Sequence, residues 1–277
     1  MNKRWLFDGG KGDRLRRGVR WSRMLDDLYL MAVAAKHRVA EGPGATPERM
    51  RRQLGPALRR WGGRRLEGVT VSGSYAKGTA IRGVTLAPAD VDVDLFLGLG
   101  PEAQDSLADY QARLARELRE YQPTMGNVSV KVLVDNVRVD LTVGRRAPES
   151  GDHTLWQHRR GTWIRTNVQE QIRYVRESGC LEVIRLLKIW RRRQGVYFPS
   201  FCLELGVIEA AGEGKQGLAA RVIEVLRYLA EDLPGAVLRD PANRSNVVSD
   251  LMTEEEKWRV SNAAWMSMRA ASWADVV

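Results

Sequence analysis

The residues with the clearest chemical potential are acidic side chains in an alternating segment. Residues 90–97 read DVDVDLFL, which places Asp90, Asp92 and Asp94 on one face of a predicted strand and apolar residues on the other. Carboxylates two positions apart on a strand project to the same side, where they can hold two divalent cations about 3.5–4 Å apart. Such ions promote phosphoryl or nucleotidyl transfer, because they align the attacking hydroxyl and neutralise developing charge.

A third aspartate is expected to complete this site. Residues 128–134 and 137–143 alternate valine or leucine with other residues, and Asp135–Asn136 joins them, which predicts a β-hairpin. Asp140 lies on the second of these strands, on the face opposite to its valines. A carboxylate there would complete the site of the ion that activates the nucleophilic hydroxyl.

A Gly-Ser turn precedes these strands and suits phosphate binding. Val69 and Val71 form a short alternating strand that leads into Gly73–Ser74, where a helix is expected to begin. The missing side chain of Gly73 lets backbone N–H groups approach the β- and γ-phosphates of a nucleotide, and Ser74 adds a hydroxyl. Alone, a Gly-Ser pair or an acidic strand fits a solvated turn or edge strand equally well. In this order along the chain, they favour metal-dependent nucleotidyl transfer.

The elements that carry these residues change along the chain from helical to alternating and back to helical. Helices are predicted before residue 63, and an alternating region with one helix at 102–121 follows to about residue 145. Beyond Pro148 the sequence is mainly helical, with helices predicted near residues 168–178, 181–194, 200–211, 217–231 and 254–273. We therefore expect an α+β protein of two lobes, residues 1–145 and 146–277, with a ligand in the central cleft between them.

The composition is that of a globular protein with an affinity for polyanions. Of the 277 residues, 44% are hydrophobic and 28% are charged, as in ordinary soluble proteins. No apolar run could span a membrane, and the start, MNKRWLFDGG, lacks the apolar stretch of a secretory signal, so we expect the cytoplasm. The net charge of +10 would attract nucleotides or nucleic acid, although solvated helix faces explain the arginine pairs equally well. Cys180 and Cys202 are predicted to be buried free thiols.

Three segments in the first half resemble the catalytic core of polymerase-beta-like nucleotidyltransferases. They read GSYAKGTAIR, DVDVDLFLGLGP and VRVDL. The superfamily includes archaeal CCA-adding enzymes, oligoadenylate synthases and cyclic GMP-AMP synthase. The resemblance implies that Asp92, Asp94 and Asp140 are the catalytic residues and hold the metal ions. It also implies that Gly73 and Ser74 contact the triphosphate.

The pairing of the first two aspartates has two alternatives. The motif covers residues 69–143, and its loop at 75–89 is longer than in many members of the superfamily. Asp90 with Asp92 is therefore a second possible register. The apolar run LFLGLG and the proline that follow Asp94 favour Asp92 with Asp94, because such a run commonly follows the second aspartate in these enzymes.

The second half of the chain resembles the helical lobe of bacterial CD-NTases, the CBASS oligonucleotide cyclases related to cyclic GMP-AMP synthase. The similar segments are GTWIRTNVQEQIRYV, LEVIRLLKIWRRRQGVYFPSFCLELGVIEA and DPANRSNVVSDLMTEEEKWRV, within residues 161–270. The resemblance implies that Lys188 and Ser200 contact the donor triphosphate and that Phe201 stacks on the base. Tyr197 is a second stacking candidate. Helical periodicity alone predicts that the Lys188 ammonium emerges at the edge of an apolar stripe.

These resemblances imply an enzyme that joins nucleoside triphosphates, ATP among them, into a cyclic di- or trinucleotide and releases pyrophosphate. Two Mg²⁺ ions are the implied cofactors, with Mn²⁺ as a substitute. The product would be a second messenger in bacterial antiviral signalling, sensed by a downstream effector, and no membrane would be involved. A nucleic-acid or protein activator stays open. Two other functions also stay open: RNA or tRNA nucleotidyl transfer, which the basic charge favours, and nucleotide binding without catalysis.

Overall fold

The computed structural model describes residues 23–82, 84, 92–211 and 217–277. A seven-stranded mixed sheet occupies the first lobe, and a two-stranded hairpin lies among the helices of the second. The strands are β1 (Leu66–Ser72), β2 (Val93–Leu99), β3 (Thr124–Met125), β4 (Ser129–Val134), β5 (Val137–Arg146), β6 (His153–Gln157), β7 (Thr162–Thr166), β8 (Arg239–Asp240) and β9 (Asn243–Val247). The helices are α1 (Arg23–Lys36), α2 (Thr46–Gly62), α3 (Gly73–Ala76), α4 (Leu107–Glu117), α5 (Val168–Arg176), α6 (Leu181–Arg193), α7 (Ser200–Ala211), α8 (Leu218–Glu231) and α9 (Glu254–Ser267).

The sheet order places β2 between β1 and β5. β1 is antiparallel to β2, whereas β2 and β5 are parallel. β4 and β5 form the predicted hairpin, and its turn residues Asp135 and Asn136 both have positive φ, 47° and 62°. Positive φ at both central positions is typical of a type I′ turn, which matches the twist of the paired strands. β2 begins at Val93, later than predicted, and Asp90 lies outside the described residues.

One face of the sheet packs against α2 and α4 in the first hydrophobic core. Alternate residues of the two central strands point into this core and are fully buried, namely Val93, Leu95, Val139 and Leu141. Because side chains alternate along a strand, the intervening residues project from the opposite face. That opposite face is where the acidic residues lie.

The second hydrophobic core is enclosed by helices, and Trp190 of α6 is fully buried within it. The helices predicted after Pro148 are confirmed as α5 to α9. α1 also packs here, through Leu30 and Ala34. Both cysteines are buried and free, as predicted.

A mixed sheet with flanking helices and a separate helical core together confirm the predicted α+β class. β6 and β7 extend the sheet to Thr166, whereas α1 packs on the helical core. The lobe division near residue 145 therefore stays a prediction. Within the described ranges, no helix is both long and apolar enough to cross a membrane.

Candidate active site

A row of polar side chains crosses the sheet where β1, β2, β5 and β4 lie side by side. Ser72 pairs with Asp94, which in turn pairs with Asp140 across the parallel strands. Lys131 of β4 is the partner of Asp140 on the other side. Cross-strand partners project from the same face, so the two carboxylates are direct neighbours. Asp92, two residues before Asp94, lies at the same end of the strand.

The turn at Gly73 lies directly against the Asp94 carboxylate. Gly73 begins α3 with a φ of 59°, a conformation that favours glycine. A Cβ atom at this position would lie 1.9 Å from Asp94 Oδ2, far inside van der Waals contact. Both the backbone conformation and the adjacent carboxylate therefore require glycine here. Ser74 follows within the same turn.

Residues of the helical lobe face this row across a pocket of about 310 Å³. The pocket is lined by all eight residues that the sequence predicted for the site: Gly73, Ser74, Asp92, Asp94, Asp140, Lys188, Ser200 and Phe201. Arg191 also lines it, and its Nη1 donates a hydrogen bond to Ser200 Oγ at 3.1 Å. Acidic groups from the sheet thus face basic groups from α6, a charge distribution that suits a phosphate ligand with its cations.

Lys188 is buried inside the protein and does not emerge at the edge of its helix. Its side chain is only 3% exposed, and its Nζ donates to Glu204 Oε1 at 2.6 Å and to Thr79 Oγ1 at 2.8 Å. The prediction of a solvent-directed ammonium is therefore wrong, because Glu204 supplies a counter-charge within the core. Glu204 Oε2 also accepts from Lys77 Nζ at 2.9 Å. The Lys77 ammonium lies 4.1 Å from the centroid of the Phe201 ring.

Sequence reasoning missed Lys77, Thr79 and Glu204, all of which line the pocket. Sequence spacing offered a signal for Lys77 and for Glu204 only. Lys77 follows the Gly-Ser turn by one helical turn, and Glu204 follows Ser200 by four residues on α7, hence on the same face. Neither spacing alone separates a site residue from a solvated charge.

Known proteins resemble this chain across both lobes, although no protein-family model matches it. The CBASS oligonucleotide cyclase CdnC of Escherichia coli strain KTE188 is 25% identical over 245 residues, which cover 75% of this chain and 77% of the relative. The structure of E. coli MS115-1 CdnC with ATP matches with a TM-score of 0.69 at 18% identity, over 91% of this chain and 97% of that one. The Bradyrhizobium diazoefficiens CD-NTase CdnG in complex with GTP matches with a TM-score of 0.67 at 17% identity, over 88% and 91%.

Sequence similarity to a CBASS cyclase thus accompanies a shared fold over almost the whole chain. In sequence and in fold, the chain is similar to the CD-NTases. The chain is accordingly a nucleotidyltransferase, with the fold of polymerase-beta-like enzymes. E. coli MS115-1 CdnC has also been solved as a complex with HORMA-deltaN. This chain matches that structure at 20% identity with a TM-score of 0.65, over 90% of this chain and 96% of the matched chain.

The carboxylates of this site repel one another. Burial and the adjacent Asp140 raise the pKa of Asp94 to about 7. Burial also raises the pKa of Asp140, against the opposing effect of Lys131. Burial alone would raise the pKa of Glu204, but Lys188 and Lys77 outweigh it and lower that pKa to about 2. Burial therefore dominates at Asp94 and Asp140, although Lys131 Nζ lies 3.3 Å from Asp140 Oδ2. The two lysines already share the counter-charge of Glu204.

The fit of this site to divalent ions depends on how the three aspartates are paired. Asp94 and Asp140 offer adjacent carboxylate oxygens, the ligands that Mg²⁺ prefers. Asp92 Oδ1 instead accepts from Arg138 Nε at 2.9 Å, and both of these side chains are more than half exposed. In the part of the chain that the structure describes, no three acidic, imidazole or thiol groups form a ready metal cluster. The donor set fits, provided that Asp92 exchanges its exposed ion pair, which contributes little stability, for an ion.

A second, larger pocket of about 850 Å³ adjoins the first on the same face of the sheet. The two pockets share Gly73, Lys77, Asp94 and Phe201. Tyr197 lines only the larger pocket, which it shares with Phe201, whereas Ser200 lines only the smaller one. The shared wall places the carboxylate of Asp94 between two volumes of the size that small ligands occupy.

The Asp94→Asn variant should be more stable than the parent protein at pH 8 in metal-free buffer. The folded-state pKa of Asp94, about 7, lies above its value of about 3.9 in an unfolded chain, so folding stability falls as the pH rises between these values. Asparagine cannot ionise and escapes this loss. We expect a gain on the order of 1–3 kcal/mol in the free energy of unfolding at pH 8 that disappears near pH 4.

Urea unfolding in EDTA at both pH values measures this difference. An Asp94→Asn variant that is no more stable than the parent at pH 8 would show that the carboxylate is not destabilised by its surroundings.

Proposed function

We propose that this protein is a CD-NTase, which joins nucleoside triphosphates into a cyclic di- or trinucleotide and releases pyrophosphate. The observation that carries the proposal is the position of the Asp94–Asp140 pair. Asp94, the cross-strand neighbour of Asp140, lies between two pockets. The smaller one contains the Gly73–Ser74 turn and the lysines, and the larger one has room for a second nucleotide. Sequence similarity to CdnC, a CBASS oligonucleotide cyclase, supports cyclisation over simple transfer.

The donor nucleotide is proposed to occupy the smaller pocket. Its triphosphate would lie along the backbone N–H groups of the Gly73–Ser74 turn, with Ser200, Lys77 and Lys188 around it. Phe201 would stack on the base. This arrangement orients the α-phosphate toward Asp94 and Asp140, where the second nucleotide can present a 2′- or 3′-hydroxyl from the larger pocket. The new bond joins that oxygen to the α-phosphorus, and the bond to the leaving pyrophosphate breaks.

Asp92, Asp94 and Asp140 are proposed to hold two Mg²⁺ ions, with Mn²⁺ as a substitute. Bound ions would activate the hydroxyl and neutralise charge on the transferred phosphate. The protein's own contribution is to orient the two nucleotides, because both pockets meet at Asp94. The product of the first step must then present its free hydroxyl for the second.

We further propose a role in bacterial antiviral signalling, in the cytoplasm, with the cyclic product sensed by a downstream effector. This role rests on the similarity to a CBASS cyclase. The complex of E. coli CdnC with HORMA-deltaN favours a protein activator over a nucleic-acid activator. ATP is the first nucleotide to test, because CdnC has been solved with it.

Incubation with ATP, GTP, CTP and UTP, singly and in pairs, in Mg²⁺ or Mn²⁺ tests the proposed reaction. Thin-layer chromatography of radiolabelled products after phosphatase treatment should show resistant spots, because a ring has no terminal phosphate. Extension of an RNA or tRNA primer without resistant products would support RNA nucleotidyl transfer instead. Nucleotide binding without pyrophosphate release would support a silent binding protein.

Replacing Phe201 by alanine should raise KM for the donor nucleotide about tenfold and leave kcat within about threefold, because stacking acts mainly on ground-state binding. The substitution also removes the ring beneath the Lys77 ammonium. Steady-state kinetics with varied nucleotide concentration measure the effect. Trp258→Ala is the control, since Trp258 is an exposed aromatic residue on α9 outside both pockets. Equal KM values for the two variants would exclude stacking on Phe201.

A further inference from the structure

The segment that follows the phosphate-binding turn is fixed by side chains of the helical lobe. Arg176 Nη1 donates to the Ala76 carbonyl at 2.9 Å, and Arg185 Nη2 donates to the Gly78 carbonyl at 2.5 Å. Thr79 has no exposed surface at all. Although the segment belongs to the first lobe, its position is therefore determined by α5 and α6 of the second.

Glu204 lies at the centre of the buried contacts between the lobes. Its side chain is 1% exposed and accepts three hydrogen bonds, from Lys77 at 2.9 Å, Thr79 at 2.7 Å and Lys188 at 2.6 Å. Two of these donors come from the segment after the turn, and the third comes from α6. The Thr79 hydroxyl also accepts from Lys188, which closes the network.

The network contains two ammonium groups and one carboxylate, so it carries one excess positive charge. Without Glu204, the Lys77 and Lys188 side chains would be almost fully buried with their counter-charge removed, which is strongly unfavourable. At least one ammonium would then have to move or lose its proton. Because both lysines line the smaller pocket, the Glu204 carboxylate determines the position of its positive charge.

We propose that Glu204 is a positioning residue for the triphosphate of the donor nucleotide. It acts through Lys77 and Lys188, whose ammonium groups it holds beside the Gly73–Ser74 turn, and it joins the lobes at this point. The proposal rests on the proposed function, since it assigns the triphosphate to the smaller pocket. The phosphate chain of the ligand should depend on Glu204 far more than the nucleoside does, because Glu204 reaches the Phe201 ring only through Lys77.

Comparison of two nucleotides separates positioning from a general structural role. The probes are α,β-methylene-ATP, which keeps the triphosphate but cannot react at the bond that breaks, and AMP, which lacks the β- and γ-phosphates. We expect Glu204→Gln to lower the affinity for the ATP analogue about tenfold or more, since charge-assisted contacts to the outer phosphates are lost. The affinity for AMP should fall by no more than about twofold. Calorimetric titration in Mg²⁺ measures both affinities.

A double-mutant cycle tests whether Glu204 acts through a lysine. Lys77→Met should weaken binding of the ATP analogue to a similar degree. The Glu204→Gln/Lys77→Met protein should bind it no more weakly than the single variant with the lower affinity, because the effects of coupled residues are not additive. Ser267→Ala is the matched control, since it removes a buried hydrogen bond from Trp190 within the helical lobe but lies outside both pockets. It should leave both affinities unchanged.

Three results would overturn the proposal. The first is an equal loss of affinity for both nucleotides. The second is an unchanged or higher affinity of Glu204→Gln for the ATP analogue. The third is a double variant whose loss of affinity equals the sum of the losses in the two single variants. If Glu204→Gln fails to fold, Thr79→Val gives the same comparison, because it removes contacts to Glu204 and Lys188 without changing charge. A parent protein that binds the ATP analogue but forms no cyclic product would contradict the proposed function alone. Loss of binding confined to the ATP analogue would still support Glu204.

Discussion

Replacing Asp94 by asparagine should lower kcat for pyrophosphate release by about a thousandfold or more, since a neutral amide holds a divalent ion much more weakly than the proposed carboxylate ligand. Asp94 pairs with Asp140 in the sheet, lies against the Gly73–Ser74 turn and lines both pockets. No other carboxylate of the described residues combines these positions. A coupled assay for pyrophosphate at saturating nucleotide measures the loss.

Asp135→Asn is the matched control for Asp94→Asn. Asp135 lies in the β4–β5 turn, five residues before Asp140, and its φ of 47° is one that asparagine adopts readily. The same chemical change there should leave kcat within about twofold. If Asp94→Asn kept more than about a tenth of the parent activity, Asp94 could not be a metal ligand in the reaction.

The Gly73→Ala substitution should lower kcat about a hundredfold or more, because the new Cβ would displace the Asp94 carboxylate from its position in the row. The clash at 1.9 Å cannot be relieved without moving either the turn or the carboxylate. The positive φ adds a cost of about 1–2 kcal/mol in folding stability for any residue with a side chain. Steady-state kinetics and thermal unfolding together separate the two effects.

Gly63 provides the control, because it has a similar φ of 53° but no heavy atom within 4 Å of a Cβ at that position. Gly63→Ala should lose comparable stability and keep its activity within about twofold. Equal losses of activity in the two variants would mean that backbone strain, and not the contact with Asp94, explains the effect. Full activity in Gly73→Ala would contradict the described geometry.

The sheet side of the site could be predicted from sequence because strand geometry is local. Alternation fixes which face a residue occupies, and the two-residue turn at Asp135–Asn136 fixes the register that brings Asp140 to the correct face. The pairing of Asp94 with Asp140 follows once β2 and β5 are neighbours. That adjacency came from the order of motifs in a recognised family and not from periodicity. The roles of these aspartates stay predictions until they are tested by substitution.

The helical side of the site was less predictable, because its charges meet across the lobes. Periodicity correctly gave the buried stripe of α6 but could not show that Glu204 reaches Lys188 within it. Lys77 and Thr79 belong to a segment more than a hundred residues earlier in the chain, and their contact with Glu204 depends on how the lobes pack. The Arg138–Asp92 ion pair was missed because it joins β5 to the residue just before β2, which lies far away in the sequence.

The accurate mass of the phosphatase-treated product tests cyclisation most directly. A ring of nucleotides is lighter by one water molecule than the linear oligonucleotide of the same composition with one terminal phosphate, and it survives phosphatase and exonuclease treatment. The parent protein with ATP and a second nucleoside triphosphate should give such a mass, with one pyrophosphate released for each nucleotide in the ring, whereas Asp94→Asn should give none. Linear products alone, digested to nucleosides after these treatments, would contradict the assignment as a cyclic oligonucleotide synthase.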